Sequence, residues 1–263
     1  MNRIDERFNR LKEENKKALI TFLTVGDPDI ETSETAIYTM QEEGVDLIEL
    51  GVPFSDPAAD GPTIQRADER ALENGTDIFA VFELVNKIRS NVEIPMVFLL
   101  YYNIIVQYGV ESFFAKCADT GVDGLIIPDL PYEESDEIAE YTEKYGVYQI
   151  NLVSPTSRER IKDIAKNSKG FLYCVSSLGV TGEKKEFQTD FEDFAGTIKE
   201  YSSVPACVGF GIADGAQVRE MCRYFDGAIV GSAIVRAIAS GASKEERMDN
   251  LKKKITDLKS GLN

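Results

Sequence analysis

Histidine and tryptophan are both absent from the 263-residue chain. Without histidine there is no Ser-His-Asp or Cys-His triad, no histidine-ligated zinc and no imidazole general base. Basic residues are also scarce: 29 Lys and Arg face 45 Asp and Glu, which gives a formal net charge of −16. This excess argues against a nucleic-acid-binding protein, because such proteins usually carry a basic patch.

The chain is also short of features that mark export or membrane insertion. It has four cysteines and no Cys-x-x-Cys pair, so we expect free thiols in a reducing compartment. Residues 1–17 are charged and lack the apolar core of a signal peptide. No apolar run approaches the roughly 20 residues that a membrane helix needs. These observations predict a soluble, cytoplasmic protein that spans no membrane.

Short runs rich in β-forming residues alternate with amphipathic, helix-like stretches along the whole chain. Near-continuous apolar runs are typical of parallel strands that are covered on both faces. The predicted strands are residues 18–24, 47–50, 96–100, 124–127, 148–152, 170–175, 206–209 and 228–231, and helices are expected between them, for example at 136–144, 157–167 and 214–223. Eight strands with interleaved helices predict an α/β fold, a (β/α)8 TIM barrel that forms one domain over residues 1–263. Apolar residues at helical spacing near the end predict an extra terminal helix, with Met248, Leu251, Ile255 and Leu258 on its buried side.

Functional groups of a TIM barrel lie where the strands end, at the carboxyl-terminal mouth. No lysine stands within a predicted strand or directly at its end, which argues against a Schiff-base aldolase; a metal aldolase would normally use histidines. Glu49 is the most informative residue, because strand alternation places it on one face with Leu47 while Ile48 and Leu50 face the helices. Burial would raise the pKa of such a carboxyl, as a general acid–base group requires. A structural glutamate that is hydrogen-bonded to its surroundings is the alternative.

Residues 51–62 follow strand 2 and contain three prolines, which restrict the backbone and predict a stiff loop. Asp56 and Asp60 lie on this loop, so carboxylates could converge over the barrel mouth. Aspartates beside proline and glycine are also common turn formers. The local sequence does not separate these two interpretations.

Glycines follow the predicted strands 7 and 8, in residues 209–214 and 231–235. Loops at this place form the common phosphate site of TIM barrels, where helix N-termini supply N–H groups and partial positive charge. A further glycine pair lies in residues 176–185, a segment that could close as a lid with Thr181 at its tip. The alternative is that these glycines only serve tight turns.

The segment LIELGVPFSDPAADGP at 47–62 closely resembles the signature of the tryptophan synthase alpha chain family. Further segments match the family in order along essentially the whole chain: TVGDP at 24–28, PDLP at 128–131, GVTG at 179–182, GFGI at 209–212 and GS at 231–232. The resemblance implies a lyase of tryptophan biosynthesis, which cleaves indole-3-glycerol phosphate to indole and glyceraldehyde 3-phosphate by a retro-aldol reaction. It implies no metal and no cofactor in this chain.

The resemblance also assigns roles to residues. Glu49 corresponds to the catalytic general acid–base, and Asp60 to the group that stabilises positive charge on the indole nitrogen. Thr181 corresponds to a lid residue near Asp60. The phosphate-binding positions match Gly182, Gly211, Gly231 and Ser232, and the indole pocket matches Phe22, Leu100, Tyr102, Ile126 and Tyr173. The pocket residues would serve equally well as ordinary core.

The family further implies a partner, a beta chain that carries pyridoxal phosphate and assembles with the alpha chain as an alpha2-beta2 heterotetramer. The loop with Pro53, Phe54 and Asp56, together with Asn103, matches the region that faces this partner. Two positions depart from the family pattern: Ile104 replaces a proline, and Lys184 replaces an arginine, which loses bidentate geometry.

Two alternatives remain beside this interpretation. One is another phosphate-binding barrel enzyme, such as an isomerase, which accounts for the glycine loops but not for the segment 47–62. The other is a weakly active chain whose main role is allosteric activation of the beta chain.

Overall fold

A computed structural model describes residues 1–155, 157–175, 191–209 and 211–262. Its centre is one parallel sheet of nine strands in the order β5-β4-β3-β2-β1-β9-β8-β7-β6. The strands are β1 (Ala18–Thr24), β2 (Leu47–Gly51), β3 (Met96–Leu99), β4 (Gly124–Ile126), β5 (Tyr148–Gln149), β6 (Leu152–Val153), β7 (Leu172–Val175), β8 (Ala206–Gly209) and β9 (Gly227–Val230). Seven of the eight predicted strands are confirmed in type and place, with ends that differ by at most two residues.

The fifth predicted strand is the exception, since it forms two short pieces instead of one. β5 pairs with β4, and β6 pairs with β7. Between them, the Ile150 N–H donates to the Leu125 carbonyl at 2.8 Å, whereas the Asn151 carbonyl accepts from the Tyr173 N–H at 3.0 Å. The two outer strands of the sheet are therefore successive pieces of the stretch 148–153, and the sheet curls round into a barrel.

Twelve α-helices occur in the described part of the chain. They are α1 (Arg3–Glu13), α2 (Ile30–Glu42), α3 (Pro62–Glu73), α4 (Ile78–Ile88), α5 (Tyr102–Tyr108), α6 (Val110–Thr120), α7 (Asp136–Tyr145), α8 (Arg158–Asn167), α9 (Phe191–Tyr201), α10 (Gly215–Met221), α11 (Ser232–Ala239) and α12 (Lys244–Lys259). The predicted terminal helix is confirmed as α12, which buries the four predicted residues. A short 3-10 turn at Tyr132–Glu134 precedes α7. None of the helices in this part of the chain has the length and apolar character needed to cross a lipid bilayer.

Strand alternation divides the apolar residues into two layers. Ile48 and Leu50 belong to the large cluster between the sheet and the helices. Leu47 belongs to a smaller cluster inside the barrel, with Ile20, Val97, Ile126 and Ile229 from other strands. The inward direction of alternate residues on β2 is thereby confirmed, and it carries Glu49 into the interior.

Helix α1, which the sequence did not predict, closes the amino-terminal end of the barrel. Its buried residues Ile4, Phe8 and Leu11 pack in the interior cluster, against residues such as Phe171. The Asn2 side chain caps the helix by accepting from the Ile4 N–H at 2.9 Å. The barrel interior is therefore sealed from water at this end and opens at its carboxyl-terminal mouth.

An aspartate that precedes a strand recurs at three places round the barrel, at Asp46, Asp123 and Asp226. Each carboxylate accepts from an N–H in the first two residues of the preceding strand: Asp46 from Leu19 at 2.7 Å, Asp123 from Met96 at 2.9 Å and Asp226 from Ala206 at 3.0 Å. The amino-terminal segment supplies a cation to each, since Arg7, Arg3 and Lys17 pair with Asp46, Asp123 and Asp226 respectively. These aspartates tie neighbouring strands to the segment that plugs the barrel.

We predict that Asp123→Ala lowers the free energy of unfolding by about 3–5 kcal/mol, because it leaves the Met96 N–H without its acceptor and the half-buried Arg89 without its counter-ion. Asp119→Ala is the matched control. This aspartate is exposed, and its ion pair with Lys116 is long, at 3.8 Å, so its loss should lower the free energy of unfolding by about 0.5 kcal/mol or less. Urea denaturation followed by circular dichroism measures both. Equal losses in the two variants would show that the buried carboxylate does not anchor the strands.

Candidate functional site

Glu49 lies inside the barrel, near the carboxyl end of β2, with a residue exposure of 1%. Its neighbours in register are Phe22 on β1 and Val97 on β3. Its Oε1 atom is buried without a hydrogen-bond partner among the described residues, and no cation is near enough to compensate. Desolvation therefore raises the pKa of Glu49 to about 8, and the carboxyl keeps its proton at neutral pH. Among the described residues, Oε1 therefore lacks the hydrogen bond that the structural alternative would give it.

Asp60 is the second buried carboxyl at the mouth, with an exposure of 8%. Its Oδ2 accepts from the Tyr101 hydroxyl at 2.7 Å, and that hydroxyl accepts in turn from the Ala59 N–H at 2.9 Å. Tyr101 also stacks on Phe54, with ring centroids 5.1 Å apart. Burial raises the pKa of Asp60, while the hydrogen bond from Tyr101 opposes that shift. The two carboxyls thus differ in one decisive respect, because Asp60 has a donor that favours its charged form and Oε1 of Glu49 has none among the described residues.

Asp56 does not lie with the buried carboxyls Glu49 and Asp60. It is exposed, and its Oδ2 accepts from the neighbouring Ser55 hydroxyl at 3.0 Å. Its carbonyl accepts from the Ala58 N–H at 2.8 Å within the turn. Of the two aspartates on this loop, only Asp60 is buried at the mouth.

Phe22, Ile126 and Tyr173 face the interior on three different strands, as the predicted pocket requires. Two glycines leave room for the rings: a Cβ at Gly51 would lie 2.5 Å from the Phe22 ring, and one at Gly209 would lie 2.7 Å from the Tyr173 hydroxyl oxygen. Burial raises the pKa of Tyr173 well above its usual value, so its hydroxyl stays neutral.

The predicted positions of Leu100 and Tyr102 require correction. Leu100 packs in the layer between sheet and helices, and Tyr102 begins α5 with its ring near Glu137 of α7. Their predecessors Leu99 and Tyr101 occupy the mouth instead. The cause is alternation: Leu99 pairs in register with Gly51 and Ile126, so the inward positions fall on the odd-numbered residues of this segment. Counting from Val97 on the predicted strand would have found Leu99 and Tyr101.

Gly231 and Ser232 stand where β9 passes into α11. Gly231 is the N-cap of that helix and Ser232 its first residue, and no side chain among the described residues caps this end. A Cβ at Gly231 would lie 3.6 Å from Phe22, which places the helix N-terminus beside the pocket wall. Gly211 adopts φ +90°, a conformation that favours glycine, shortly before α10. The first N–H groups of α11, which none of the described side chains caps, are therefore suited to bind an anion at the mouth.

The predicted lid residue Thr181, the phosphate-binding position Gly182 and the substituted position Lys184 lie outside the described residues. Within the described ranges, no group of three or more Cys, Asp or Glu side chains could hold a metal ion. Three cysteines, Cys117, Cys174 and Cys207, are buried free thiols, and Cys222 is half-buried.

Comparisons with known proteins agree with this geometry. A family profile described as tryptophan synthase alpha chain matches residues 8–263. The chain is 50% identical over 259 residues to the tryptophan synthase alpha chain of Thermoanaerobacter sp. (strain X514), covering 98% of this chain and 99% of that protein. It resembles a solved structure of Mycobacterium tuberculosis tryptophan synthase, with a TM-score of 0.90, 35% identity, and coverage of 99% and 98% of the two chains. It also resembles the tryptophan synthase alpha subunit of Legionella pneumophila, with a TM-score of 0.88, 33% identity, and coverage of 99% and 98%.

The burial of Glu49 predicts a pH-dependent stability. The folded-state pKa of about 8 exceeds the ordinary value of 4.5, so the folded chain binds this proton more tightly than the unfolded chain does. The stability that the bound proton contributes is fully present below about pH 4.5 and is lost as pH rises through 8. The free energy of unfolding of Glu49→Gln should therefore rise relative to that of the unaltered chain as pH increases between these values. The rise is at most about 5 kcal/mol, since one pKa unit corresponds to about 1.4 kcal/mol. Urea denaturation at pH 5, 7 and 9 measures the difference, with the exposed Glu73→Gln as control. A difference that does not change with pH would contradict a buried, proton-bearing Glu49.

Proposed function

Because the chain belongs to the tryptophan synthase alpha chain family, we propose that it cleaves indole-3-glycerol phosphate to indole and glyceraldehyde 3-phosphate. The observation that carries this proposal is the Glu49 carboxyl, buried without a hydrogen-bond donor on Oε1, in the same mouth as an Asp60 that has one. Two carboxyls whose environments push their proton affinities apart are suited to separate acid and charge-stabilising roles. Histidine is not required for such chemistry.

Glu49 supplies the proton cycle of the proposed reaction. Protonated Glu49 donates to C3 of the indole ring, which leaves a cation delocalised towards the ring nitrogen. The bond between C3 and the adjacent carbon of the glycerol chain then breaks, and its electron pair neutralises that cation to give indole. The Glu49 carboxylate takes the proton of the hydroxyl on that carbon, which becomes the aldehyde of glyceraldehyde 3-phosphate. Glu49 ends the cycle as it began, so neither a lysine nor a metal is needed.

Asp60 stabilises the cation that C3 protonation creates. Its carboxylate accepts a hydrogen bond from the indole N–H and carries the compensating negative charge in a poorly hydrated site, where electrostatic interactions are strong. Tyr101 holds Asp60 by a 2.7 Å hydrogen bond and leaves its other carboxylate oxygen for the substrate. The proposed indole site is lined by Phe22, Leu99, Ile126 and Tyr173.

The N-terminus of α11, at Gly231 and Ser232, binds the substrate phosphate in this proposal, with Gly211 and Gly182 contributing from neighbouring loops. Backbone N–H groups and the helix dipole attract the anion locally. Local attraction is needed because the net charge of −16 gives an anionic substrate no long-range assistance. Thr181 would act as the lid over Asp60.

We also propose a beta chain as the partner, with pyridoxal phosphate bound in that chain and alpha2-beta2 as the assembly. The proposed contact surface is the turn after β2, where Pro53 is buried, Phe54 is half-buried on Tyr101 and Asp56 is exposed. Asn103 and Ile104 in α5 extend it. Because Phe54 stacks on the tyrosine that holds Asp60, a partner that moves this turn would act directly on the site.

We predict that Glu49→Gln lowers kcat for indole release by about a thousandfold or more, because the amide cannot give and retake a proton. Affinity for glycerol 3-phosphate should change by about twofold or less, since Glu49 lies on β2 and not at the α11 N-terminus. Steady-state indole release and calorimetric titration measure the two effects. Substantial cleavage by the variant would falsify the proposed mechanism.

The same assay, run with and without a beta chain, tests the alternative of a mainly allosteric role. An unaltered chain that releases no indole even with the beta chain, while still raising beta-chain activity, would favour that alternative over the proposed cleavage.

Tyr101→Phe should lower kcat about tenfold and change KM much less. Removing the hydroxyl leaves Asp60 without its donor and favours the protonated aspartate, which cannot neutralise the cation. Tyr102→Phe is the matched control one residue away, because that hydroxyl faces α7, and its rate should be unchanged. Equal rates for the two variants would show that Tyr101 does not support Asp60.

A further inference from the structure

A third buried carboxyl lies behind the site and has no part in the mechanism above. Asp68 is on α3, two turns after Asp60, and its exposure is 5%. Its helix neighbours Ile64 and Ala67 pack with Phe22 and Val235 in the small cluster beside the α11 N-terminus. Asp68 therefore belongs to the wall that supports both the proposed indole site and the proposed phosphate site.

The contacts of Asp68 are unusually poor for a buried carboxyl. Its Oδ1 atom lies 3.4 Å from the Thr24 hydroxyl at the end of β1, a long hydrogen bond. Arg70, a cation on the same helix, pairs with both oxygens of Asp27, at 2.7 and 2.8 Å. Arg236 on α11 lies with Nη1 3.5 Å from the Thr63 hydroxyl. No cation pairs with Asp68 within the described ranges.

Among the described residues, the charged groups that act on Asp68 are acidic. They are Asp60 in the loop before α3, Asp27 in the loop after β1 and Glu69 on α3 itself, and Asp60 acts most strongly. Burial and the Asp60 charge together raise the pKa of Asp68 to about 8. Asp60 accepts a hydrogen bond of 2.7 Å from the Tyr101 hydroxyl, and this donor favours its charged form. Asp68 keeps its proton at neutral pH, so the pair Asp60–Asp68 holds at least that one proton.

We propose that Asp68 is a positioning residue for the cleavage reaction, which acts through Asp60 and sets the total negative charge that the indole cation meets. This inference rests on the proposed function. While Asp68 is protonated, Asp60 alone faces the cation. When Asp68 loses its proton, a second negative charge lies behind the first and attracts the same cation.

Linkage gives the sign of the effect. A positive charge in the transition state favours the ionised form of a nearby carboxyl, so it lowers the pKa of Asp68 relative to the substrate complex. Ionisation of Asp68 must therefore raise the rate of C3 protonation by the same factor. Asp68→Asn, which stays neutral, lacks this increment at high pH and should match the unaltered chain at low pH.

The test is the ratio of kcat for the unaltered chain to kcat for Asp68→Asn, measured with indole-3-glycerol phosphate from pH 6 to 9.5. Glu49 titrates in the same range and lowers both rates, but its contribution cancels in the ratio. We expect a ratio near one below pH 7 that rises about threefold by pH 9, which corresponds to a pKa of Asp68 lowered by about 0.5 in the transition state. A ratio that is flat with pH, whatever its value, would assign Asp68 a purely structural role and overturn the proposal.

A second measurement decides the matter even where Asp68→Asn folds poorly. Carboxyl carbon NMR on aspartate-labelled protein follows the titration of Asp68 directly, in the unaltered chain and in Asp60→Asn. We expect a midpoint near 8 in the former and one lower by about one unit in the latter, because the neighbouring charge is gone. An Asp68 that is already ionised at pH 6, or whose midpoint ignores Asp60→Asn, would refute the coupling. Absence of indole release by the unaltered chain would instead refute the proposed function itself, and this inference with it.

Discussion

The cost of desolvating a carboxylate is the constraint on which the candidate site depends. Glu49 stands inside a barrel whose far end is plugged by α1 and whose walls are apolar. Water cannot solvate its charge, and no cation in the described part of the chain replaces the water, so the carboxyl keeps its proton at neutral pH. A chain without histidine thereby obtains a group that titrates near neutrality, from a glutamate and its surroundings alone.

The distinction between the two candidate catalytic carboxyls follows from one hydrogen bond. Both are buried at the mouth, and Asp60 accepts from the Tyr101 hydroxyl, whereas Oε1 of Glu49 has no partner among the described residues. Tyr101 is itself fixed by the Ala59 N–H and by stacking on Phe54, both within the proline-rich turn after β2. The turn therefore serves two purposes in the proposed function: it orients the charge-stabilising carboxylate, and it presents Phe54 and Asp56 towards the proposed partner.

Much of this could be predicted from the sequence, and the failures have physical causes. The inward direction of Glu49 followed from alternation on β2, since apolar residues at Ile48 and Leu50 need helices to cover them. The predicted positions of Leu100 and Tyr102 are wrong by one residue. They lie beyond the end of β3 at Leu99, and they were assigned from the family resemblance and not from the alternation of inward and outward residues. The role of Tyr101 depends on a contact between two loops 41 residues apart in sequence, which no local pattern contains. Helix α1 was missed because its many charges conceal three apolar residues at helical spacing.

The acidic composition is compatible with an anionic substrate because ion pairs and burial reduce the negative charge at the mouth. Part of the negative charge is paired with cations and lies far from the mouth. Asp46, Asp123 and Asp226 pair with cations at the closed end of the barrel. At the open end, Glu49 and Asp68 hold their protons, and Asp27 is neutralised by Arg70. In the proposed mechanism, Asp60 is then left as the principal charge of the mouth, opposite the cation that forms on the indole ring. Burial thus lowers the negative charge of this cluster of acids, which favours the proposed binding of phosphate at the helix N-terminus at Gly231.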